Sequence, residues 1–364
     1  MLETSKNVYE RMTNTLINSQ YIVFGLGKTG LSCARFLAQQ GKNFTVIDTQ
    51  ESPSELGNLK KMIPSATALT GINSFSPTDA CKHLILSPGV SRAHPFVVTA
   101  QRSGIEVIGD IELFARHAKA PVVAITGSNG KSTVVTMVSE ILSGANLRVL
   151  YGGNLGIPAL DLLIEGHPDY FVLELSSFQL ESTESLAPSV ACILNISPDH
   201  MDRYEDFATY IEVKRSVYNN AKSVVLNADD EILCGLRPQC ETHFISQFGV
   251  GMAAYRIEVY GGDPWLMADG DRVMRVNDLA TRGLHNAMNA LAALAITDRL
   301  SVPRSVQKNV LASFRGLPHR CQIIATHHGV EWIDDSKGTN VGAASVAVRS
   351  IFSGRQGVLI AGGR

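Results

Sequence analysis

The 364-residue sequence lacks long hydrophobic runs and an excess of charge of one sign. Its formal net charge is −2, so it shows no positive surplus that would favour nucleic acid or an anionic membrane surface. The N-terminal residues are polar, and no apolar stretch reaches the roughly 18 residues of a membrane span. We therefore expect a cytoplasmic protein that binds neither nucleic acid nor membrane.

The sequence also lacks any pairing pattern among its cysteines. None of the six belongs to a C-x-x-C motif, so neither a zinc ribbon nor a disulfide framework is indicated. We expect reduced and mostly buried thiols. The length, with 45% hydrophobic and 18% charged residues, allows two or three globular domains at roughly 100–200 residues each.

A glycine-rich loop follows an apolar run near the middle of the chain. Residues 121–125 predict a strand, and residues 134–142 have helical spacing. Small residues between them let backbone N–H groups surround phosphate oxygens, with Lys131 as a point charge and Ser132 as a hydroxyl for Mg²⁺. We predict that this loop binds a nucleoside triphosphate through Gly127, Ser128, Asn129, Gly130, Lys131, Ser132 and Thr133.

Two features qualify that interpretation of the loop. Ile125 stands where an ordinary phosphate loop has glycine, so the loop is a variant. A strand-to-helix turn that contains Gly-Lys-Ser by chance is the alternative.

A second glycine turn lies near the N-terminus. Residues 21–48 predict a strand, a turn with Gly25, Gly27 and Gly30, a helix and a second strand that ends in Asp48. This pattern is the fingerprint of dinucleotide binding, so a nicotinamide-dependent dehydrogenase is one hypothesis. Since the same turn and acid can hold another diphosphate and its sugar, the residues leave both possibilities open.

Polar residues stand at the ends of several later strands. Ser87 and Gly89 follow the strand 83–86, and Glu174 ends the strand 170–174. Because the carboxyl ends of parallel strands meet at one edge, these groups are candidates for ligand binding. Glu174 is a candidate ligand of Mg²⁺, with a structural salt bridge as the alternative, and a plain turn is the alternative for Ser87 and Gly89.

Lys214 shares a predicted helix face with apolar side chains. Its neighbours at three and four residues are Tyr210, Ile211, Val217 and Tyr218. Burial lowers the pKa of a lysine, and a neutral amine can react with CO₂ to give a carbamate, an anionic ligand for Mg²⁺. A lysine that extends its amine to solvent is the alternative.

The C-terminal third predicts further elements. Residues 255–276 indicate β-hairpins, and Asn286 and Asn289 lie three residues apart on one helix face, where they could read a base or, for Asn286, cap the helix. Residues 357–364 predict a strand and its glycine turn. We predict domains at 1–110, 111–315 and 316–364, with the third one incomplete because about 50 residues cannot bury a comparable core.

The combination of these motifs resembles the Mur ligase family. The loop 127–133 is similar to that family's phosphate loop, including its departure from the ordinary pattern. The segments 173–181, 199–204, 316–320 and 335–340 resemble the member that adds D-glutamate. The resemblance runs from about residue 21 to the end of the chain.

The resemblance implies an α/β fold and an activity. The fold would comprise a Rossmann-like N-terminal domain, a central P-loop-type ATPase domain with added β-hairpins, and the beginning of a third Rossmann-like domain. ATP would phosphorylate the carboxylate of UDP-N-acetylmuramoyl-L-alanine, and the amine of D-glutamate would displace phosphate from the acyl phosphate. A monomer that binds substrate without full activity is the expectation for a chain with an incomplete third domain.

The resemblance also implies roles for individual residues. Lys131, His200 and carbamylated Lys214 would be catalytic, and Mg²⁺ would be held by Ser132, Glu174, His200 and Lys214. The nucleotide would further contact Asn286, Asn289, Arg320 and Asp335, and Lys337 with Thr339 would face D-glutamate. The UDP substrate would be bound by Gly27, Lys28, Thr29, Asp48, Thr49, Ser87, Gly89, Asn154 and His200.

Overall fold

The structure is a computed structural model that describes residues 19–250, 253–338, 341–352 and 356–362. The chain divides into two compact units that are interleaved in sequence. The first comprises the described residues up to 120 together with 152–167 and 175–187, and the second comprises 121–151, 168–174 and the described residues from 188 onward. The predicted boundaries at 110 and 315 stay a prediction.

Helices and strands alternate along most of the described chain. In chain order the strands are β1 (Tyr21–Phe24), β2 (Phe44–Ile47), β3 (Thr67–Leu69), β4 (His83–Leu86), β5 (Glu106–Gly109), β6 (Val122–Thr126), β7 (Val149–Gly153), β8 (Tyr170–Glu174), β9 (Val190–Ile193), β10 (Ser223–Asn227), β11 (Glu241–Ser246), β12 (Tyr255–Tyr260), β13 (Asp263–Ala268), β14 (Asp271–Arg275), β15 (Gln322–His327) and β16 (Val330–Asp334). The α-helices are α1 (Lys28–Gln39), α2 (Leu56–Met62), α3 (Pro95–Arg102), α4 (Asp110–Ala115), α5 (Lys131–Gly144), α6 (Ala159–Glu165), α7 (Ser177–Leu180), α8 (Phe207–Arg215), α9 (Glu231–Cys234), α10 (Leu284–Asp298), α11 (Arg304–Ser313) and α12 (Val341–Ile351).

The first unit is built on a five-stranded parallel sheet. Its strand order is β3-β2-β1-β4-β5, with each neighbouring pair parallel. This is the order of one half of a doubly wound fold, so the prediction of a Rossmann-like N-terminal domain is confirmed. Apolar residues of β1, β2 and β4 pack with Phe96 and Val97 of α3 in a buried core.

Two later segments, 152–167 and 175–187, complete the first unit, and hydrogen bonds join the second of them to α4. Gln179 Nε2 donates to Asp110 Oδ2 at 3.0 Å, and Glu112 Oε2 accepts from the N–H groups of Glu184 and Ser185 at 2.7 and 2.8 Å. Both acids are buried on α4. Because they bond to the segment 175–187, this segment belongs to the first unit although it follows β8 in the chain.

The second unit is built on a nine-stranded sheet that includes β7. Its order is β14-β13-β12-β11-β10-β9-β6-β8-β7. β6 lies between β8 and β9 and is parallel to both, whereas β12, β13 and β14 form antiparallel hairpins. The prediction of a central α/β domain with added hairpins is therefore confirmed.

The described part after residue 316 contains a hairpin and a helix. β15 and β16 pair in an antiparallel two-stranded sheet, and α12 follows. The Rossmann-like character of this part stays a prediction. The prediction of a strand from residue 357 is wrong for the described residues 357–362, because that segment pairs with no strand of the three described sheets.

Across the described residues, every helix is too short or too polar to traverse a lipid bilayer.

Candidate active site

The glycine loop connects β6 to α5, as the sequence predicts. All five residues of β6 are buried, and Ile125 is fully buried within the strand. α5 begins at Lys131, three residues earlier than the apolar spacing predicted. Gly127 and Gly130 have φ angles of +146° and +85°, which L side chains rarely adopt. The loop therefore consists of the four residues 127–130, and glycine is required at both of its ends.

Charged and hydroxyl side chains converge on this loop. Lys131 Nζ donates to the carbonyl oxygens of Gly127 and Ser128 at 2.9 and 3.0 Å. Ser132 Oγ donates to Glu174 Oε2 at 2.7 Å and accepts from Arg320 Nη2 at 3.1 Å. The structure thus brings together four of the predicted residues from α5, β8 and the segment before β15.

Lys214 is buried beside the same loop. Its side chain donates from Nζ to Gly127 O at 3.1 Å and to Thr126 Oγ1 at 3.4 Å, and Nζ lies 4.9 Å from the centre of the Tyr210 ring. Burial, with a smaller contribution from the charge of Lys131, lowers the pKa of Lys214 to about 7. The lysine is 2% exposed, so the alternative of a solvent-exposed amine is wrong.

The two predicted asparagines of α10 lie close to the loop. Asn289 Nδ2 donates to Asn286 Oδ1 at 3.3 Å, and Asn286 Nδ2 donates to Arg282 O at 2.8 Å. A Cβ on Gly130 would lie 2.7 Å from Asn289 Oδ1. Because Gly283 occupies the N-cap position, Asn286 does not cap the helix by its side chain. Base recognition by this pair stays a prediction.

His200 lies in the loop that follows β9. Its φ is +56°, an unusual backbone for a residue other than glycine, and its side chain is exposed. Nε2 lies 3.8 Å from Asp199 Oδ2. Among the residues that the structure describes, no three His, Cys, Asp or Glu side chains form a group suited to a metal ion. A role for His200 in metal or substrate binding stays a prediction.

Several side chains of the first unit hold its glycine turn together. Asp48 Oδ2 accepts from the N–H of Leu26 at 2.7 Å, and Oδ1 accepts from the N–H of Gln50 at 2.8 Å. Ser87 Oγ donates to Gly25 O at 2.7 Å. Asp48 and Ser87 therefore shape the turn directly, and their contact with a ligand stays a prediction.

The remaining predicted residues differ in exposure and in the hydrogen bonds that they make. Lys28, at the start of α1, is exposed, as are Thr49, Gly89 and Asn154, whereas Gly27 and Thr29 are partly buried. Asp335 Oδ1 accepts from the N–H of Cys321 at 3.0 Å, and the N–H of exposed Lys337 donates to His319 O at 3.2 Å. Thr339 lies outside the described residues.

The residues at the loop fit a nucleotide with its metal ion. Gly130 is the N-cap residue of α5, so the loop leads directly into a helix N-terminus, which favours phosphate, and a Cβ at this position would lie 2.7 Å from Asn289 Oδ1. Ser132 and Glu174 supply oxygen donors, which Mg²⁺ prefers. Lys131 and Arg320 supply positive charge for phosphate oxygens.

Asn195 is among the residues that contact the phosphate loop directly and that the sequence interpretation missed. Asn195 Oδ1 accepts from the N–H of Asn129 at 2.8 Å, and Nδ2 donates to Asn129 O at 3.0 Å. The signal was available, since Asn195 follows an apolar strand in the same way as Glu174 ends one. Its role depends on the pairing of β9 with β6, which the residue pattern does not specify.

Comparison with protein families gives two matches. A model described as the Mur ligase middle domain matches residues 125–297, and one described as the N-terminal domain of MurD-like Mur ligases matches residues 19–109. The first match covers the phosphate loop and the C-terminal ends of β8 and β9, and the second covers the five-stranded sheet.

Curated relatives cover most of the chain. It is 44% identical over 349 residues to UDP-N-acetylmuramoylalanine--D-glutamate ligase of Nitrosococcus oceani, a match that spans 94% of this chain and 76% of that relative. The enzyme of the same name from Escherichia coli K12 is 43% identical over 331 residues, with 91% and 74% covered.

Solved structures agree in fold. UDP-N-acetylmuramate-alanine ligase MurC of Thermotoga maritima superposes with a TM-score of 0.58 at 21% identity and covers 92% of this chain and 78% of its own. MurF of Acinetobacter baumannii gives a TM-score of 0.56 at 22% identity, with 74% and 67% covered. At these identities the superpositions speak for the fold alone. Taken with the relatives above 40% identity and the two matching domain models, they place the chain in the Mur ligase family.

Proposed function

We propose that this chain is an ATP-dependent ligase that joins D-glutamate to UDP-N-acetylmuramoyl-L-alanine in peptidoglycan precursor synthesis. The amide bond would form through an acyl phosphate of the muramoyl-alanine carboxylate. The observation that carries the proposal is the convergence of Lys131, Ser132, Glu174 and Lys214 on the phosphate loop of a chain 44% identical to an enzyme named for this reaction.

The site residues would act mainly by placing and neutralising charge. Phosphoryl transfer needs little covalent participation from a protein, and catalysis comes from positioning and electrostatic stabilisation. Loop N–H groups, Lys131 and Arg320 would hold the phosphate oxygens of ATP. Ser132 and Glu174 would hold Mg²⁺, which when bound neutralises phosphoryl charge.

Lys214 would contribute a second anionic ligand. Its neutral amine would add to CO₂, forming the N–C bond of a carbamate and releasing one proton. The lowered pKa supports this step because a neutral amine is the reactive form. The 2% exposure of the residue supports the persistence of the product, since bulk water has little access to it.

The first unit would hold the UDP portion of the substrate. Its glycine turn opens α1, where a diphosphate is favoured by free N–H groups and the helix dipole. Lys28 at the first position of that helix is exposed and adds positive charge. Both carboxylate oxygens of Asp48 accept from backbone N–H groups of the chain around the turn. Because this structural role is the same for any diphosphate ligand, the dinucleotide fingerprint alone does not favour NAD.

All six cysteines are free thiols, which supports a reducing, cytoplasmic location as part of the proposal.

Calorimetric binding tests the proposal on the chain itself. UDP-N-acetylmuramoyl-L-alanine and MgADP should each bind with a stoichiometry of one, and NAD should not compete with the UDP substrate. Binding of NAD in place of the UDP substrate would favour the dehydrogenase hypothesis instead. An assay for phosphate release that requires both D-glutamate and the UDP substrate then tests the ligation step.

A further inference from the structure

The pairing of two strands of the second unit continues into the phosphate loop. β6 and β9 pair in parallel up to Thr126 and Ile193. Beyond them, the N–H of Leu194 donates to Thr126 O, and the N–H of Ser128 donates to Asn195 O, both at 3.0 Å. The backbone ladder therefore reaches the loop that faces the helix N-terminus of α5.

Asn195 extends this ladder with its side chain. Its amide accepts from the N–H of Asn129 at 2.8 Å and donates to the carbonyl of Asn129 at 3.0 Å. Two bonds from one planar group to one residue fix both the position and the orientation of that residue. The Asn195 amide thereby bonds to the backbone of Asn129 as the backbone of a neighbouring strand bonds to a residue in a sheet.

Ser128 makes a matching contact from the loop to the second strand end. Its hydroxyl donates to Ser197 O at 2.9 Å and accepts from the N–H of Ser197 at 3.0 Å. Tyr210 Oη lies 3.2 Å away and donates the third bond, because Ser128 already gives its single proton to Ser197 O. A serine hydroxyl has one proton and two lone pairs, so all its bonding capacity is used.

This arrangement accounts for the unusual sequence of the loop. Ile125 is a fully buried strand residue, so the loop has only the four residues 127–130. The loop has no additional glycine, and hydrogen bonds from the segment 195–197 stabilise it. The support comes from side-chain groups that are hydrogen-bonded within the protein.

We propose that Asn195 and Ser128 are positioning residues that hold the loop N–H groups in the conformation that receives the nucleotide phosphates. The proposal rests on the proposed function in that it takes a nucleotide to be the ligand. It changes the prediction for Ser128, whose side chain supports the loop, and it assigns the phosphates to Lys131 and to the backbone N–H groups at the start of α5.

Asn195→Ala tests the proposal, with Asn227→Ala as the matched control. Asn227 Nδ2 donates to Leu194 O at 3.2 Å, so it supports the same strand end without touching the phosphate loop. MgADP affinity should fall about tenfold in Asn195→Ala, or ~1.4 kcal/mol, while affinity for the UDP substrate stays within about twofold. In Asn227→Ala both affinities should stay close to those of the unaltered chain.

Amide hydrogen exchange of the nucleotide-free chain separates this inference from the proposed function. Asn195→Ala should speed exchange at Asn129, and Asn195→Asp, which keeps the acceptor but loses the donor, should give a smaller increase. Unchanged exchange at Asn129 in Asn195→Ala, or an equal loss of MgADP affinity in Asn227→Ala, would overturn the inference. Failure of the unaltered chain to bind MgADP would overturn the proposed function and leave the exchange result decisive for the loop.

Discussion

At the scale of single residues, Lys214 shows how burial changes the chemistry of a side chain. A buried amine with a pKa of about 7 is available in its neutral form near physiological pH. We predict a carbamate signal in ¹³C NMR spectra of the chain equilibrated with ¹³CO₂, and its loss in Lys214→Ala. Lys222→Ala is the matched control, because Lys222 is exposed and should leave the signal unchanged. A signal that survives in Lys214→Ala would remove Lys214 from the proposed metal site.

Asp110 gives a second prediction at this scale. Burial raises the pKa of Asp110 to about 6 from its ordinary value of 3.8. Since the folded state favours the protonated acid, its contribution to stability is present at low pH and is lost as the pH rises through 6. Between pH 4 and pH 7 the free energy of unfolding should fall by about 2 kcal/mol more in the unaltered chain than in Asp110→Asn.

Urea unfolding at several pH values measures that difference. The asparagine can still accept from Gln179, so the variant keeps the bond that orders the segment 175–187. Asp79→Asn, at an exposed position, should keep the pH dependence of the unaltered chain. If Asp110→Asn shows that same pH dependence, the raised pKa is not a feature of the folded state.

At the scale of elements, the start of α5 depends on glycine. Gly130→Ala should cost about 1–2 kcal/mol because its φ is +85°, and it should also weaken MgADP binding because a Cβ would lie 2.7 Å from Asn289 Oδ1. Gly270→Ala is the matched control, with φ of +90° and no atom within 4 Å of the new Cβ. Chemical unfolding should show similar losses for both variants, and calorimetry should show weaker binding only for Gly130→Ala. Equal MgADP affinity in the two would contradict the proposed closeness of Asn289 to the nucleotide.

The sequence predicted the strands better than the helix ends. β1, β4 and β8 have the predicted bounds, because short apolar runs end sharply at polar or glycine residues. α5 begins earlier than predicted, since its first turn is formed by polar loop residues that apolar spacing does not register. The segment 357–362 shows the opposite error, because an apolar run forms a strand only beside a partner strand.

The candidate site was predictable where chemistry follows from local spacing. The glycine loop, Glu174 at a strand end and the apolar neighbours of Lys214 were visible in the sequence. The contacts of Asn195 with Asn129 were not, because they depend on which strands are neighbours in the sheet. The same limit applies to Arg320, whose bond to Ser132 joins residues far apart in the chain.

At the scale of the whole molecule, the proposal assigns one nucleotide ligand to each unit. Lys131→Ala should weaken MgADP binding roughly 10- to 100-fold, as expected for the loss of a charged hydrogen bond, and should leave the UDP substrate's affinity unchanged. Lys28→Ala should have the converse effect of similar size on the UDP substrate. Calorimetric titration of both ligands into both variants measures the pattern. A variant that weakens both ligands equally would contradict the assignment of separate ligands.

The interleaving of the two units in sequence has a consequence for synthesis on the ribosome. Residues 152–167 and 175–187 belong to the first unit, so that unit is still incomplete when residue 120 has left the exit tunnel. Until residue 187 follows, Glu112 has not met the N–H groups of Glu184 and Ser185, and Asp110 has not met Gln179. Until then the first unit lacks the stabilising contribution of these hydrogen bonds. The five-stranded sheet therefore becomes fully stable only after β6 and α5 of the second unit have themselves been made, and the usual order of N-terminal domain first does not hold here.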